Sequence, residues 1–592
     1  MGMYDQHSKQ LVVSDQTAFD GRKAVERVAL FDTAGEKIDL KSPSALAQDT
    51  AFTSRFAPAV FTVDSYLPAG VTPSTATSAQ TLAAYNSARD AAFAVGGTVK
   101  FTPGQTYQID TTFVIKSNMV FDCTGATLKK RSTTGYLSPL IANEDWANGN
   151  PGITIIATDA TWSYNGNNLV SGSGQPYGGL GNITWFQNVS NFRIVGRPTL
   201  TRSGGGGYAL TIGHASNVDV EGAHFDTVSD GVHLLGPISN AHFGTFSGTT
   251  GDDFFAMTIS DYANQVTNLT NNGETVTAGD ITDVTIDTLN IANSTMPTGG
   301  ASTGSGLSML SGNGSYWFDR IHVGQIIGKT KKAFRLTNDG ILTATKIGTV
   351  TIDKIDVTLG SGAPSLCSTD ATALNSLTIG ELVNHDTGAT AVLTIGGTAD
   401  SVHVGRFVQD GACIGGLITV PSAGTVKSVH IGSMRCVLGT NGRPIDLGNA
   451  SATYVAIDQF DLSGAGGWGF YANGAGPHNV MWGSGVMRGI GQVARVDSPA
   501  VVYCTFANVL FDTNTAHLTC NTGGTLRMMY GNCRQVATSD RTLSGSGTVS
   551  CTGPQFRVAT AAINNPVTGD IVFGISQNSI VQYNGAAWVA IA

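Results

Sequence analysis

Charge is the first thing this sequence is short of. Only 13% of its 592 residues are Asp, Glu, Lys or Arg, against about a quarter in typical soluble domains. The 33 Lys and Arg are outnumbered by 42 Asp and Glu, for a net charge of −9. No Lys/Arg block or basic tail is present, which argues against a nucleic-acid partner. No run approaches the roughly 18 consecutive apolar residues of a membrane-spanning helix, so membrane insertion is not expected. The eight cysteines (Cys123, Cys367, Cys413, Cys436, Cys504, Cys520, Cys533 and Cys551) include no CxxC pair. They read as mostly buried free thiols rather than a disulfide framework or a metal site, and neither metal nor cofactor is expected. The opening MGMYDQHSKQ lacks the basic and apolar regions of a secretory signal, so ordinary export is not expected either.

Glycine, by contrast, is abundant, at 75 residues, as many tight turns and few exposed helices require. A short motif of alternating apolar residues followed by Gly or Asp recurs from Val323 onward: IHVGQII, VTIDKID, LTIGELV, VHVGRFV, VHIGSMR, VAIDQFD and VMWGSGV. Its central residues are Val323, Ile352, Ile379, Val404, Ile431, Ile457 and Trp482, at intervals of 29, 27, 25, 27, 26 and 25. Alternation with period 2 and β-branched residues make each motif a strand with one buried face. Repetition in the twenties is the mark of a solenoid. The pattern extends upstream through VTIDTLN at Ile286 and VDVEGAHF at Val220. The fold class predicted is all-β, a right-handed parallel β-helix, whose growth along one axis explains a chain far longer than one compact domain.

Four regions follow. Residues 1–58 do not fit the solenoid: RVALFDTAGEKIDL reads as two short strands around Thr33-Ala34-Gly35 and Ser42 to Pro58 as a linker, a module that relies on a partner or is a disordered leader. The β-helix spans 59–500. It begins with a helix from about Ser78 to Ala94, with Leu82, Tyr85 and Phe93 on its apolar face and Gly96-Gly97 after its end. Strands at Thr98 to Phe101, Tyr107 to Ile109 and Thr112 to Cys123 follow. This order resembles the entrance of pectate-lyase-like β-helices, where the helix caps the open end of the strand stack. Ser132 to Gly207 reads as long polar loops carrying Trp146, Trp162, Tyr164, Tyr177 and Trp185, which either stack on sugar rings or cover the core. After Trp482 the period weakens. Residues 501–557 read as a β-rich extension in which SDRTLSGSGT looks like a linker, and 558–592 as a small β-module with turns at Thr568-Gly569 and Asn584-Gly585.

The stretch Val228 to Met257 joins this architecture to chemistry. Asp230 lies 22 residues before Asp252 and 23 before Asp253, one coil of the solenoid. Asp230 and Asp253 are therefore expected on one face about one strand spacing apart. Clustered carboxylates raise one another's proton affinity, so one can act as an acid while another stays ionised as a base. Two carboxyls with room for a water between them are the arrangement of inverting glycosidases. Equally, Asp at a β-helix turn can simply bond backbone N–H groups.

Ser229-Asp230-Gly231, Gly251-Asp252-Asp253, Gly304-Ser305-Gly306-Leu307-Ser308 and Arg335-Leu336-Thr337 follow the order of the four motifs of polygalacturonases, NTD, GDD, GHG and RIK. The resemblance implies a glycoside hydrolase in which Asp252 is the general acid, Asp230 and Asp253 activate water, and Arg335 binds the substrate. Asn is replaced by Ser229, the His of the third motif by Ser305 and the last Lys by Thr337. Because that His and Lys help to hold an acidic sugar, galacturonan specificity is in doubt while hydrolysis of another glycan stays open. Lys331 and Lys332 either restore a cationic subsite or form a solvated turn.

The C-terminal module resembles those of phage tail fibres and tailspikes, and its small size points to a trimer. That resemblance implies a protein of the virion tail, made in the host cytoplasm and released by lysis. Residues 1–58 would attach to tail or baseplate proteins, and the β-helix would meet a bacterial surface polysaccharide. Two functions stand at this point: a depolymerase using Asp230, Asp252 and Asp253, with Arg335, Ser305, Lys331 and Lys332 as substrate contacts, or a receptor-binding protein without catalysis. A polysaccharide lyase is a third, which needs a base near the sugar and often Ca²⁺.

Overall fold

In the computed structural model the described residues are 59–552, apart from 131–137, 165–181, 203–206, 260–277, 295–303, 311–314, 338–344, 360–366, 387–390, 513–515, 536–542, 545–546 and a few single positions, together with short strands between 3 and 38 and between 557 and 590 and Ala586. Strands from Val60 to Thr552 join one continuous ladder in which every pairing is parallel. The fold is a right-handed parallel β-helix.

The repeat read from the sequence is the ladder itself. Val220 pairs with Phe243, Phe243 with Ile286, Ile286 with Val323, and then Ile352, Ile379, Val404, Ile431, Ile457, Trp482 and Phe506 follow one coil at a time. All of these side chains are fully buried. At roughly 1.5–3 kcal/mol for each large apolar side chain removed from water, such columns are the main cohesive term of the solenoid. They also fix register, since a slip of one residue would turn the column to solvent.

The corners repeat as well. Asn191, Asn217, Asn240, Asp283 and Arg320 occupy one corner in five successive coils, each with φ between 50° and 56°. Asn is among the residues that tolerate this left-handed conformation. Here the amides also bond along the axis, Asn217 Nδ2 to Asn191 Oδ1 at 3.1 Å and Asn240 Nδ2 to Asn217 Oδ1 at 2.7 Å.

The Gly-or-Asp position of the repeat is a second bend. A Cβ on Gly380, Gly405 or Gly432 would lie 2.5–2.6 Å from the carbonyl oxygen of the coil beneath. Where Asp stands instead, the preceding coil supplies a histidine. His242 Nε2 meets the Asp287 carboxylate at 3.1 Å, His322 Nε2 meets Asp353 at 3.0 Å, and His430 Nε2 meets Asp458 at 2.9 Å.

The helix Ser78–Val95 closes the N-terminal end. Thr77 and Gln80 form a reciprocal capping box, and Gly96 ends the helix in the left-handed conformation, both ordinary helix-terminus devices. Tyr85 packs on Phe101, Phe113 and Phe121 and donates to the Val114 carbonyl at 2.8 Å. Phe93, expected on the apolar face, is instead 50% exposed, with the Lys116 ammonium over its ring. The buried face runs through Thr81, Ala84, Tyr85, Ala88 and Ala92.

Two other expectations change. Much of Ser132 to Gly207 is not loop: strands such as Thr154–Ile156, Thr161–Tyr164 and Val189–Val195 build full coils. The coils also continue past residue 500, with Val501–Asp512, Thr525–Tyr530 and Thr548–Thr552 stacked on the same ladder. Near the N-terminus Ala29–Phe31 and Lys37–Ile38 pair antiparallel, as do the strands Ile571–Gly574, Ser579–Tyr583 and Trp588–Ala590 near the other end. The linker 42–58 and the turns at 568–569 and 584–585 lie outside the described residues. Cys123, Cys413, Cys436, Cys504, Cys520 and Cys533 are buried.

Candidate functional site

One short strand of each coil carries the residues singled out by the sequence. Val232 pairs with Phe255, Phe255 with Leu307 and Leu307 with Phe334. Two positions earlier, the same register stacks Asp230, Asp253, Ser305 and Lys332, with the Gly231 N–H bonded to the Asp253 carbonyl and Ser305 opposite Lys332. Adjacent members are about 4.8 Å apart along the axis. Asp252 and Lys331 each stand one residue earlier, half-buried. Arg335 lies three residues beyond Lys332, in the outward column His233, Ala256, Ser308, Arg335. All seven residues thus meet on one side of four consecutive coils.

Local chemistry explains why the chain bends there. Before each strand a buried threonine turns back on the chain: the hydroxyls of Thr227, Thr250 and Thr330 donate to the carbonyls of Ser229, Asp252 and Lys332 at 3.1, 2.8 and 2.9 Å. Such local hydroxyl-to-backbone bonds favour turns over extended structure. Gly231 follows Asp230 because a Cβ there would come 2.4 Å from the Phe254 carbonyl oxygen.

Asp230 and Asp253 are each only 6% exposed. Burial pushes both carboxyls up, Asp230 to about 7 and Asp253 to about 8. For Asp253 the neighbouring charges of Asp230 and Asp252 add to the rise. The Asp253 N–H tempers the rise at Asp230. At Asp253 the Ser305 N–H does so, donating to Oδ1 at 2.8 Å, helped by Ser308, whose Oγ makes no hydrogen bond of ordinary geometry. Two like charges one strand spacing apart in a poorly solvated setting cannot both ionise readily. The pair therefore holds a proton into the neutral range.

Three residues outside the sequence expectation complete the group. His233 Nδ1 lies 2.8 Å from Asp230 Oδ2, its Nε2 lies 3.0 Å from Thr258 Oγ1, and the Tyr208 ring stacks on it at 3.9 Å and 16°. An Asp followed three residues later by His was visible in the sequence. Tyr208, one coil earlier, left no motif.

The loop aromatics behave differently from the sugar-stacking alternative. Trp162 and Tyr164 are fully buried, and Trp185 and Trp146 are 1% and 2% exposed. Trp146 and Trp185 pack together at 4.9 Å beside Ala142 and Leu235, in a small cluster outside the main core. They cover the coils and are not a sugar platform; Tyr177 lies outside the described residues. An open cleft of about 500 Å³, lined by Asp280, Thr282, Trp317, Asp319, Arg320, Gly348 and Asn375, opens where the following strands of the same coils begin. None of the seven sequence-predicted residues lines it.

No family model matches this chain, and no curated protein matches it. Among solved structures it is similar to a family 28 exopolygalacturonase of Yersinia enterocolitica, at 11% identity and a TM-score of 0.33, over 86% of this chain and 83% of that one. A likeness of that size bears on neither activity nor substrate.

Proposed function

We propose that this chain is a virion tail protein that binds a bacterial surface polysaccharide and hydrolyses it with the Asp230, Asp252 and Asp253 group. The observation that carries the reading is the stacked Asp230–Asp253 pair, raised into the neutral range by burial, with Asp252 half-buried beside it. In the reaction Asp252 gives its proton to the glycosidic oxygen as the C–O bond breaks. The ionised member of the pair takes a proton from the water that attacks the anomeric carbon, and a new reducing end results. His233 holds the Asp230 carboxyl in place through Nδ1. Arg335 and Lys331, both half-buried, provide cationic contacts for the sugar beside the cleaved bond, whereas Lys332 and Ser305, expected from the sequence to join them, are buried in the stack.

The remaining parts of the proposal rest on the sequence. Residues 1–58 attach the chain to the tail, the C-terminal module holds three copies together, and host lysis releases the assembled particle. Light scattering on the full chain, returning a mass three times the 61.3 kDa of one copy, supports the trimer; a monomer refutes it.

The 6% exposure of both buried aspartates favours a second reading, a receptor-binding protein that holds glycan without cutting it. Reducing-end release separates the two. Polygalacturonate, alginate, hyaluronate and a panel of purified capsular and O-antigen polysaccharides are incubated with wild type, Asp252→Asn and Asp253→Asn. Release by wild type and its loss in both variants, roughly 10²–10⁴-fold as for a missing general acid or base, with melting behaviour retained, supports hydrolysis. Binding with no release leaves the second reading.

A further inference from the structure

The outward column that holds His233, Ser308 and Arg335 does not stop at the aspartates. In register, Arg335 is followed by Ser368, Thr394, Thr419, Asp446, Tyr471 and Arg495, one coil at a time. Between Arg335 and Asp446 every position is a small hydroxyl residue. At Asp446 the character changes abruptly. Three residues before Asp446, Tyr471 and Arg495 stand Arg443, Trp468 and Gln492, forming a second column beside the first.

These two columns interlock. The Arg443 guanidinium lies 5.2 Å from the Trp468 ring centre and 4.9 Å from that of Tyr471, and Arg495 lies 4.7 and 5.7 Å from the same rings. The rings themselves are 5.3 Å apart. Carboxylates lock both arginines: Arg443 Nε donates to Asp446 at 2.8 Å, and Arg495 reaches Asp497, which also accepts from the Tyr471 hydroxyl at 2.9 Å. Trp468, Tyr471 and Arg495 nevertheless remain half-buried rather than covered. Next to them Gln492 Oε1 is buried without a hydrogen-bond partner among the described residues. A buried acceptor left unsatisfied costs free energy unless a ligand or water meets it.

We infer that Arg443, Trp468, Tyr471, Gln492 and Arg495 form a distal subsite that grips the same polysaccharide chain several sugars away from the aspartates. The inference rests on the proposed function for the class of ligand, and on the register for its position. Aromatic rings held rigid by neighbours present apolar area at little entropic cost, and guanidinium forks offer spare N–H donors to sugar hydroxyls or carboxylates. Seven strand spacings separate the coil of Asp253 from that of Tyr471. At about 4.8 Å each, this is roughly 34 Å. A pyranose ring is about as long as one spacing, so a chain must have on the order of seven or eight sugars to touch both ends. Thr394 and Thr419 of that column, both half-buried, lie between the two ends.

The test uses the full chain carrying Asp253→Asn, so that bound glycan stays intact, and the polysaccharide panel named above. Size-graded fragments of each polysaccharide that binds are titrated against this background and against the added changes Trp468→Ala and Arg495→Gln. The expected result is affinity that rises steeply once fragments reach the spanning length. Each added change should lower affinity for long fragments roughly tenfold, about the loss of one aromatic or charged contact, and leave short fragments unaffected. If Trp468→Ala disturbs the fold, judged by its melting, Arg495→Gln decides alone. Length-independent affinity, equal loss for short and long fragments, or no binding to any of the panel overturns the subsite. Cleavage by the otherwise wild-type chain that is indifferent to both changes would overturn the subsite and leave the hydrolase standing. Long-chain binding that depends on Trp468, without any reducing-end release, would do the reverse.

Discussion

Replacing Asp253 with Asn should abolish hydrolysis and, at alkaline pH, stabilise the protein. The Asp253 carboxyl sits in a space that disfavours its charge, beside Asp230 and Asp252. An amide keeps the shape, and its Oδ1 can still accept from the Ser305 N–H. In the unfolded chain the carboxyl titrates near 4, but in the fold it does so at about 8. Between those values the folded state binds more protons than the unfolded one, so stability falls as pH rises. The contribution is fully present below the unfolded value and is lost as pH climbs toward the folded one. The slope is at most about 1.4 kcal/mol per pH unit for one group, several kcal/mol across the window. The Asn variant lacks this loss. Melting followed by scanning calorimetry at pH 5 and pH 8.5 should therefore show a difference in favour of the variant that is small at the lower pH and grows to several degrees at the higher. A difference that is independent of pH, or a wild type that gains stability on going from pH 5 to 8.5, would refute the buried, proton-holding pair. Ionisation is also required for the base, so the rate of reducing-end release should rise with pH through about 7, opposite to stability.

Two other outcomes follow from the core. His478 is fully buried, its ring nitrogens make no hydrogen bond of ordinary geometry, and burial pushes it down to about 4. The unfolded state binds its proton first, so this group's own contribution rises between about pH 4 and 6.5 and opposes the fall from Asp253, and His478→Leu should make stability fall more steeply with pH across that window in denaturant titrations. Trp482 is fully buried between Phe460 at 4.9 Å and Phe506 at 6.3 Å, and its Nε1 is without a partner among the described residues. Trp482→Ala should cost about 3–5 kcal/mol in cavity and lost contact, whereas Trp482→Phe should cost much less because it also removes the orphaned donor. Unfolding midpoints of the two variants that coincide would contradict that account.

The solenoid was legible wherever strand and interval were both regular. Val323 to Trp482 repeats closely enough that each central residue in the sequence proved to be the partner of the next. The early coils were not legible because their strands are only two to four residues long, as at Asn150–Pro151 and Thr154–Ile156, and carry bulky rings such as Trp162 that read as loop aromatics. For the site, the spacing of Asp230 and Asp253 translated directly into adjacency. What spacing could not convey was burial, which turns two turn-forming aspartates into a proton-holding pair. Nor could it reveal Tyr208 on His233, or Trp468 between two arginines, because both contacts arise from side chains on neighbouring coils whose spacing carries no motif.

The pairing of histidine with the bend aspartates says which segments of this chain can be exchanged. Asp458 rests on His430, while Gly405 and Gly432 stack bend on bend with no side chain between them. Removing residues 406–432, one complete coil, would bring His403-Val404-Gly405 beneath Ala456-Ile457-Asp458 and set His403 in the place of His430. The interface would re-form from parts already present. The aspartate site and the Trp468 cluster would then stand one strand spacing closer, and the shortest glycan able to bridge them would lose one sugar. Cutting instead between His430 and Asp458 would strand a carboxylate. In this molecule the coil, bounded at its bends, is thus a graduated ruler whose marks can be erased one at a time, and the bend chemistry tells where the eraser can be applied.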